Sequence, residues 1–344
     1  MVDERDRWVL AVTQTTVEQS EGARSQPARA FRVSSFVSRP AYIALVAAAI
    51  WLFEPNFYHS ANVTNVLRQA GILGVVTLGQ TLVLLVAGID LSVGAVMSGT
   101  LIAVAALSRS GHLPLVVVVV IVLALGLVVG CVNGLLVAYR RVPPFVATLG
   151  MTAVVAGGQL AYTKGVPAGT IPAHLRPLGL GAWGIVPYAA LLWLGLTGVA
   201  FILLRVTIYG RQLYAVGTAA EVASRAGARV RLITWSAYLG CSVLAAAAGI
   251  VLSAYVGYVD PGVGSGYDLD SISAAVVGGV AFSGGRGGVI GAALGVLLLT
   301  VLLNLVILAG VDPNVQLIVR GGVVIAAMAT LAVRSARTPS ERKL

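Results

Sequence analysis

The sequence predicts an all-α polytopic membrane protein with about ten transmembrane helices. Of its 344 residues, 58% are apolar and 10% are charged, whereas soluble domains are about 45–50% apolar and about 25% charged. This difference excludes an ordinary soluble enzyme, a disordered protein and a disulfide scaffold. A crossing helix needs about 20 mostly apolar residues, and suitable stretches occur at 41–57, 63–87, 91–108, 114–137, 145–162, 187–205, 234–256, 270–282, 288–309 and 315–333. The eighth of these stretches is short for a complete crossing.

The positions of the basic residues predict the orientation of these spans. If the N-terminus is cytoplasmic and the spans alternate, 18 of the 23 Lys and Arg residues fall in cytoplasmic segments, as the positive-inside rule requires. Both termini are therefore expected inside, and the net charge of +10 reflects basic loops, not nucleic-acid binding. The expected organisation is a cytoplasmic tail at 1–39, a transmembrane domain at 40–335 with a cytoplasmic loop at 206–233, and a cytoplasmic tail at 336–344.

Spans two to five and spans seven to ten are expected to be inverted copies of one another. Each set contains, in the same order, an acidic break, a Ser-Gly turn, a late Asn in an apolar helix and a proline turn. These features are Asp90, Ser110-Gly111, Asn133 and Pro143-Pro144 in the first set, and Asp268, Ser283-Gly284, Asn304 and Pro313 in the second. The orientation places Asp90 near the inside and Asp268 near the outside, so the copies are inverted, as in many transporters.

No catalytic constellation is evident in the sequence. There is no G-x-x-x-x-G-K-[ST] motif, and the two lysines are Lys164 and Lys343. If ATP drives this protein, ATP and Mg²⁺ are therefore expected on another chain, and no cofactor is expected on this one. The three histidines, His59, His112 and His174, fall far apart in predicted outer loops, so no metal site is expected.

Three acidic residues lie at the ends of predicted spans. Asp90 lies between two apolar spans, and Asp268 and Asp270 occupy the corresponding place in the second set. One interpretation makes each a ligand for an ion or a solute within the membrane. The other, which we favour, makes each a helix cap that accepts backbone N–H groups after a break such as that at Gly88.

Four uncharged polar residues lie within predicted spans: Gln80, Asn133, Gln159 and Asn304. Such side chains usually form hydrogen bonds between helices. A second interpretation is that they line a pathway for a polyhydroxylated solute. The residues alone leave both interpretations open.

A glycine pattern lies at the start of the ninth predicted span. Gly287, Gly291 and Gly295 form G-x-x-x-G-x-x-x-G. Because glycine has no side chain, such a stripe lets two helices approach closely. We interpret this pattern as helix packing, not as a binding site.

The loop at 206–233 is predicted to contain a short, rigid helix. Thr218 and Glu221 have the S/T-x-x-E spacing of a capping box, which satisfies backbone N–H groups at the start of a helix. Gly227 is the expected stop at the other end. The basic residues of this segment, including Arg225, suit either a helix on anionic membrane lipid or a lever that docks on a partner protein.

Several ordered motifs resemble those of the permeases of ribose-type sugar ABC transporters, in the superfamily that includes branched-chain amino-acid permeases. These motifs are Pro55-Asn56-Phe57, Gly79 to Val83, Ala87 to Gly94, Pro143 to Met151, Tyr162 to Gly165, Gly278-Gly279 and Ser283 to Gly287. The resemblance covers residues 40–335. In that family a coupling helix follows the sixth span, and here it would include Thr218, Glu221, Arg225 and Gly227. This chain departs from the common pattern, because Thr218-Ala219-Ala220 stands in place of Gly-Asn-Pro and the usual Arg is shifted by one, to Arg225.

The resemblance implies an importer in the bacterial cytoplasmic membrane. An external binding protein would deliver a pentose, hexose or polyol-like solute, two identical or different permease subunits would form the pathway, and two cytoplasmic ATPases would drive it. The candidate pathway residues are Gln80, Asn133, Phe145, Thr148 and Asn304. Two alternatives remain: an ATP-independent secondary transporter or channel, and a branched-chain amino-acid permease. A secondary carrier would need paired charges within the membrane, and no convincing pair is evident.

Overall fold

The computed structural model describes residues 55–109, 113–166 and 169–310, with a few positions after 310. Most of this is helical. The α-helices are α1 (Ser60–Leu85), α2 (Val93–Ser108), α3 (Leu115–Gly134), α4 (Pro144–Thr163), α5 (Arg176–Leu180), α6 (Tyr188–Val206), α7 (Ile208–Thr218), α8 (Ala220–Arg225), α9 (Val230–Val256), α10 (Tyr267–Val277) and α11 (Val289–Leu308). The other elements are 3₁₀ turns at Pro55–Tyr58 and Ala173–Leu175, a π-helical extension of α3 at Leu135–Tyr139, and a hairpin of β1 (Ala182–Trp183) with β2 (Val186–Pro187).

Six helices among the described residues are long and apolar enough to cross a membrane. They are α1, α3 with its extension, α4, α6, α9 and α11. They match the second, fourth, fifth, sixth, seventh and ninth predicted spans, so the prediction of a helical polytopic membrane protein is confirmed. The span predicted at 41–57, apart from its last three residues, and both predicted tails lie outside the described residues. So does most of the span predicted at 315–333.

The helices in the third and eighth predicted spans are shorter than a bilayer crossing. α2 has 16 residues and α10 has 11, and at a rise of 1.5 Å per residue they extend about 24 Å and about 16 Å. The hydrocarbon core is roughly 30 Å thick. Each helix follows a non-helical segment, 86–92 before α2 and 257–266 before α10. Helix α10 is thus too short for a complete crossing, as expected for 270–282. It starts three residues earlier than that stretch and ends at Val277, shortly before Gly279 adopts φ 91°.

Helix α9 is the centre of the described structure and packs against α1, α2 and α3. Glycine allows these close approaches. A Cβ on Gly79 of α1 would lie 2.9 Å from Cα of Cys241, and one on Gly130 of α3 would lie 2.8 Å from Cα of Leu239. By contrast, α3, α4 and α6 expose most of their apolar surface. Such surface suits contact with lipid or with another membrane subunit.

Helices α10 and α11 also pack through glycine, but the predicted three-glycine stripe holds only in part. On α11, a Cβ at Gly295 would overlap the Ala274 carbonyl of α10, and the Gly291 carbonyl occupies the space beside Gly278. Gly287 precedes α11 and lies in a turn with φ 108°. Gly287 therefore serves the turn before α11 and not the helix contact, because α11 begins at Val289, two residues after it.

Candidate functional site

A buried polar cluster lies where α1 stops and α2 starts. It consists of Gln80, Asp90, Ser92 and Asn133, whose side chains are all inaccessible to solvent, and we call these four residues the break cluster. Helix α1 contributes Gln80, α3 contributes Asn133, and the non-helical segment 86–92 contributes the other two. The structure thus brings two candidate pathway residues together with the conspicuous acid of the sequence.

Helix α1 ends in a Schellman motif just before this cluster. The N–H of Gly88 donates to the Val83 carbonyl at 2.9 Å, and the N–H of Ala87 donates to the Leu84 carbonyl at 2.9 Å. Ala87 has φ 60°, a left-handed conformation that glycine usually supplies. This turn leads segment 86–92 back into the protein interior beside the last turns of α1.

Gln80 satisfies the backbone of that segment. With its amide oriented to suit its neighbours, the side chain donates to the Asp90 carbonyl at 3.1 Å and accepts from the Asp90 N–H at 3.2 Å. Buried backbone groups outside helices need such partners, since neither water nor a helical neighbour satisfies them. The contacts of Gln80 therefore agree with a structural role in hydrogen bonding, not with the lining of a pathway.

Asp90 is not the helix cap that the sequence predicts. The N-cap of α2 is Ser92, and its side chain does not cap the helix. One carboxylate oxygen of Asp90 accepts the Ser92 N–H at 2.9 Å and the Ser92 hydroxyl at 2.6 Å, as in an Asx-turn. The other, Oδ2, has no hydrogen-bond partner among the described residues. Asp90 therefore stabilises the turn that precedes α2 and does not cap the first turn of that helix.

Asp268 and Asp270 are not N-caps either. Helix α10 begins at Tyr267 with Gly266 as its N-cap, so both acids lie within its first turn. Gly266 adopts φ 91°, and this tight turn starts the helix before the first acid is reached. Within the first turn, the negative charges are still favourable beside the helix N-terminus.

Side chains of α3 and α4 surround segment 86–92. Asn133 donates to Ser92 Oγ at 2.9 Å, and the buried Thr148 hydroxyl lies 3.5 Å from the Ile89 carbonyl. Farther along α4, Gln159 donates to a carbonyl of α2 at 2.7 Å. These contacts match the interpretation of the polar residues as bridges between elements.

Phe145 and Asn304 do not join the break cluster. Phe145 is 55% exposed on the surface of α4. Asn304 of α11 exchanges two side-chain hydrogen bonds, both 3.0 Å, with Asn62, which lies near the start of α1, whereas Gln80 lies near its end. In the described part of the chain, the five candidate pathway residues therefore do not form one lining.

Two residues of α9 that the sequence analysis did not single out complete the surroundings of the break cluster. The Tyr238 hydroxyl donates to the Ile89 carbonyl at 3.4 Å, and Cys241 Sγ lies 3.8 Å from the Gln80 side-chain amide. A tyrosine inside an apolar span is a usable signal, because a buried phenol needs a hydrogen-bond partner. The cysteine offers no such signal.

The break cluster is suited to hydrogen bonding. It offers two amides, a hydroxyl and a carboxylate, held by three different elements. Among the described residues, no group of three or more His, Cys, Asp and Glu side chains could hold a metal ion. The arrangement stabilises the non-helical connection between α1 and α2 in the interior of the protein.

The loop at 206–233 forms two helices instead of the single one predicted. Helices α7 and α8 meet at Ala219, which has φ −160° and ψ 90°. Thr218 is the last residue of α7, and its hydroxyl donates to the Tyr214 carbonyl at 2.8 Å. The N-cap of α8 is Ala219, without a side-chain hydrogen bond. The predicted capping box of Thr218 and Glu221 is wrong, because the threonine belongs to the preceding helix.

The other coupling candidates lie on or just after α8. Glu221 forms an ion pair with Arg225 at 2.6 Å, with both side chains about 80% exposed, so the pair contributes little to stability. Gly227 follows the helix with φ 88°, and the Ala228 N–H donates to the Ala223 carbonyl at 2.9 Å. This Schellman geometry makes Gly227 the stop of α8.

Helix α7 is fixed at both ends. Thr207 caps its start by accepting the Gly210 N–H at 3.2 Å. Near its end, the Tyr214 hydroxyl donates to the Gly287 carbonyl at 3.0 Å. Burial raises the pKa of Tyr214 above its ordinary value, against a smaller lowering by Arg205, so the phenol stays protonated and able to donate at neutral pH.

The chain is similar to known membrane permeases over most of its length. A family model described as "Branched-chain amino acid transport system / permease component" matches residues 62–328. The ribose import permease protein RbsC of Escherichia coli K12 is 35% identical over 307 residues, which are 87% of this chain and 95% of that protein. No solved structure matches the chain significantly.

Relatives from other bacteria carry related names. The ribose import permease protein RbsC of Bacillus subtilis strain 168 is 34% identical over 83% of this chain and 88% of that protein. The galactose/methyl galactoside import permease protein MglC of Salmonella typhimurium is 33% identical over 86% of this chain and 94% of that protein. The aligned regions therefore span nearly the whole of each relative.

Proposed function

Since this chain belongs to the family of permease components of branched-chain amino acid transport systems, we propose that it is the membrane-spanning subunit of an ATP-driven ABC importer for a sugar. The observation that carries the proposal is the 35% identity to a ribose import permease over 95% of that protein. The solute is a pentose, a hexose or a related polyol-like molecule. A branched-chain amino acid has less support, because the relatives above are named for ribose and galactose.

The partners of this importer follow from the proposal. Cytoplasmic ABC ATPases bind ATP and Mg²⁺, an external binding protein delivers the sugar, and a second permease subunit completes the pathway in the bacterial inner membrane. The break cluster is sealed within the core of the chain, whereas Phe145 on α4 is exposed. We therefore place the pathway beside α4, between two permease subunits, with the break cluster as support behind it.

The proposal includes ten spans, both termini inside, and inverted repeats of spans two to five and seven to ten. Segments that the basic residues assign to the cytoplasm lie close together. The end of α7 contacts the loop before α11, through Tyr214 and Gly287, and the start of α9 contacts α3, where Trp235 Nε1 donates to the Cys131 carbonyl at 3.3 Å. With the Gly285 N–H that donates to the Leu85 carbonyl at 3.0 Å, these contacts support a cytoplasmic position for the ends of α1 and α3 and for the starts of α9 and α11.

Reporter fusions test this orientation. A reporter fused after Arg211 is expected to be active in the cytoplasm, and one inserted at Gly169 is expected to be active outside, because the basic residues follow the positive-inside rule. Paired alkaline phosphatase and fluorescent protein fusions measure both sites. An external signal at Arg211 would overturn the proposed orientation.

Reconstitution tests the transport function. Proteoliposomes that contain this chain, with the ATPase and the binding protein encoded by neighbouring genes, are expected to accumulate radiolabelled ribose or galactose only when ATP is hydrolysed. Leucine and a non-hydrolysable ATP analogue are the controls. Sugar uptake without ATP hydrolysis would favour a secondary transporter, and uptake of leucine in place of sugar would favour the amino-acid permease.

A further inference from the structure

Three backbone segments come into direct contact at the end of α1. The Gly285 N–H donates to the Leu85 carbonyl at 3.0 Å. A Cβ on Gly217 would overlap that same carbonyl, and a Cβ on Gly284 would lie 2.7 Å from the Gly217 carbonyl oxygen. A Cβ on Gly285 would lie 2.8 Å from the Thr218 nitrogen. We call Leu85, Gly217, Thr218, Gly284 and Gly285 the glycine junction.

The glycine junction connects three parts of the molecule. Gly217 and Thr218 are the end of α7, immediately before α8. Leu85 is the last residue of α1 and leads into the segment with the break cluster. Gly284 and Gly285 belong to the loop between α10 and α11, with φ 79° and 67°. The segment that leads into α2 and the loop that follows α10 are therefore in contact at the junction, although they are far apart in the sequence.

Side-chain hydrogen bonds reinforce this contact. The Tyr214 hydroxyl donates to the Gly287 carbonyl at 3.0 Å, two residues beyond the junction. The Thr218 hydroxyl donates to the Tyr214 carbonyl at 2.8 Å. Tyr214 therefore joins the end of α7 to the loop before α11. Replacing it with Phe removes this hydrogen bond and adds no atom that could clash.

We propose that the glycine junction, together with the hydrogen bond from Tyr214 to Gly287, transmits displacement of α7 and α8 to segment 86–92 before α2 and to the loop between α10 and α11. Closely packed backbone has little compressibility, whereas contacts through long side chains can relax by rotamer changes. A displacement of α8 would therefore move segment 86–92 and the loop between α10 and α11 together. This inference rests on the proposed function, because it assumes that an ATPase displaces α8.

The test compares Tyr214→Phe and Gly217→Ala with Gly195→Ala in the reconstituted complex. Gly195 lies on α6 with open space where a Cβ would stand, so its substitution is the matched control. The measurements are the amount of assembled complex, ATPase stimulation by the sugar-loaded binding protein, and the number of sugar molecules imported per ATP. Tyr214→Phe is expected to assemble normally but to lower the sugar-to-ATP ratio at least threefold, and Gly217→Ala to lower it further.

The readouts separate the inference from the proposed function. A purely structural role would reduce the amount of complex and leave the sugar-to-ATP ratio of the remaining complex unchanged. If Gly217→Ala does not accumulate, the ratio of Tyr214→Phe decides alone. A wild-type ratio in Tyr214→Phe would overturn the transmission role while the wild-type protein still imports sugar. Absence of ATP-driven sugar uptake by the wild-type complex would instead overturn the proposed function.

Discussion

Insertion of Gly-Gly after Ala223 is expected to reduce ATP-driven uptake to background while the permease still inserts in the membrane. Ala223 is the buried residue of α8, and its carbonyl accepts the Ala228 N–H that closes the helix. Two glycines at this point break a helix of only six residues and separate its anchored start from its stop at Gly227. Displacement by an ATPase would then be absorbed by flexible backbone. Uptake and ATPase stimulation in proteoliposomes measure the effect.

A matched insertion isolates the role of α8. Gly-Gly after Gly184 lengthens the turn of the β1–β2 hairpin, where a Cβ would meet no neighbour within 4 Å. That variant is expected to retain most of its uptake, because exposed turns tolerate insertion. Normal uptake by the Ala223 variant, with the helix broken, would remove α8 from the coupling mechanism and would favour an ATP-independent carrier.

Asp90→Ala is expected to lower the free energy of unfolding of the permease, whereas Asp90→Asn is expected to preserve most of it. In Asp90→Ala, the buried Ser92 N–H loses its acceptor, and each buried donor left unpaired costs about 1–3 kcal/mol. In Asp90→Asn, the side-chain oxygen can still accept from the Ser92 N–H and hydroxyl, so folded protein should persist at near wild-type amounts. Thermal unfolding of the detergent-solubilised protein and fluorescence-detected size exclusion measure the difference.

Asp260→Ala is the control for this substitution. Asp260 makes the same kind of turn, accepting the Gly262 N–H at 2.8 Å, but in an exposed loop. Water can replace its carboxylate there, so the loss of stability should be much smaller than in Asp90→Ala. If Asp90→Asn folded normally but abolished uptake, Asp90 would be a ligand in transport and its structural interpretation would fail.

The candidate site was only partly predictable, because its members are joined by tertiary contacts. Gln80 and Asn133 could be recognised as polar residues in apolar spans, but nothing local indicates that one pairs with the Asp90 backbone and the other with Ser92. Asn304 has the same local character and lies elsewhere, paired with Asn62. Local sequence identifies a residue that needs a hydrogen-bond partner, and the packing of distant segments selects that partner.

The sequence by itself determined the helical membrane fold, six of its long helices and the stop at Gly227, because apolar length and glycine conformation act locally. Only the tertiary structure decided where the short helices α2, α8 and α10 begin. Thr218 had the spacing of a cap but ends α7, and the acids of α10 lie inside its first turn. Buried backbone outside helices must be satisfied by whatever packs against it. The positions of these breaks therefore depend on contacts between segments far apart in the chain, such as Leu85 with Gly285.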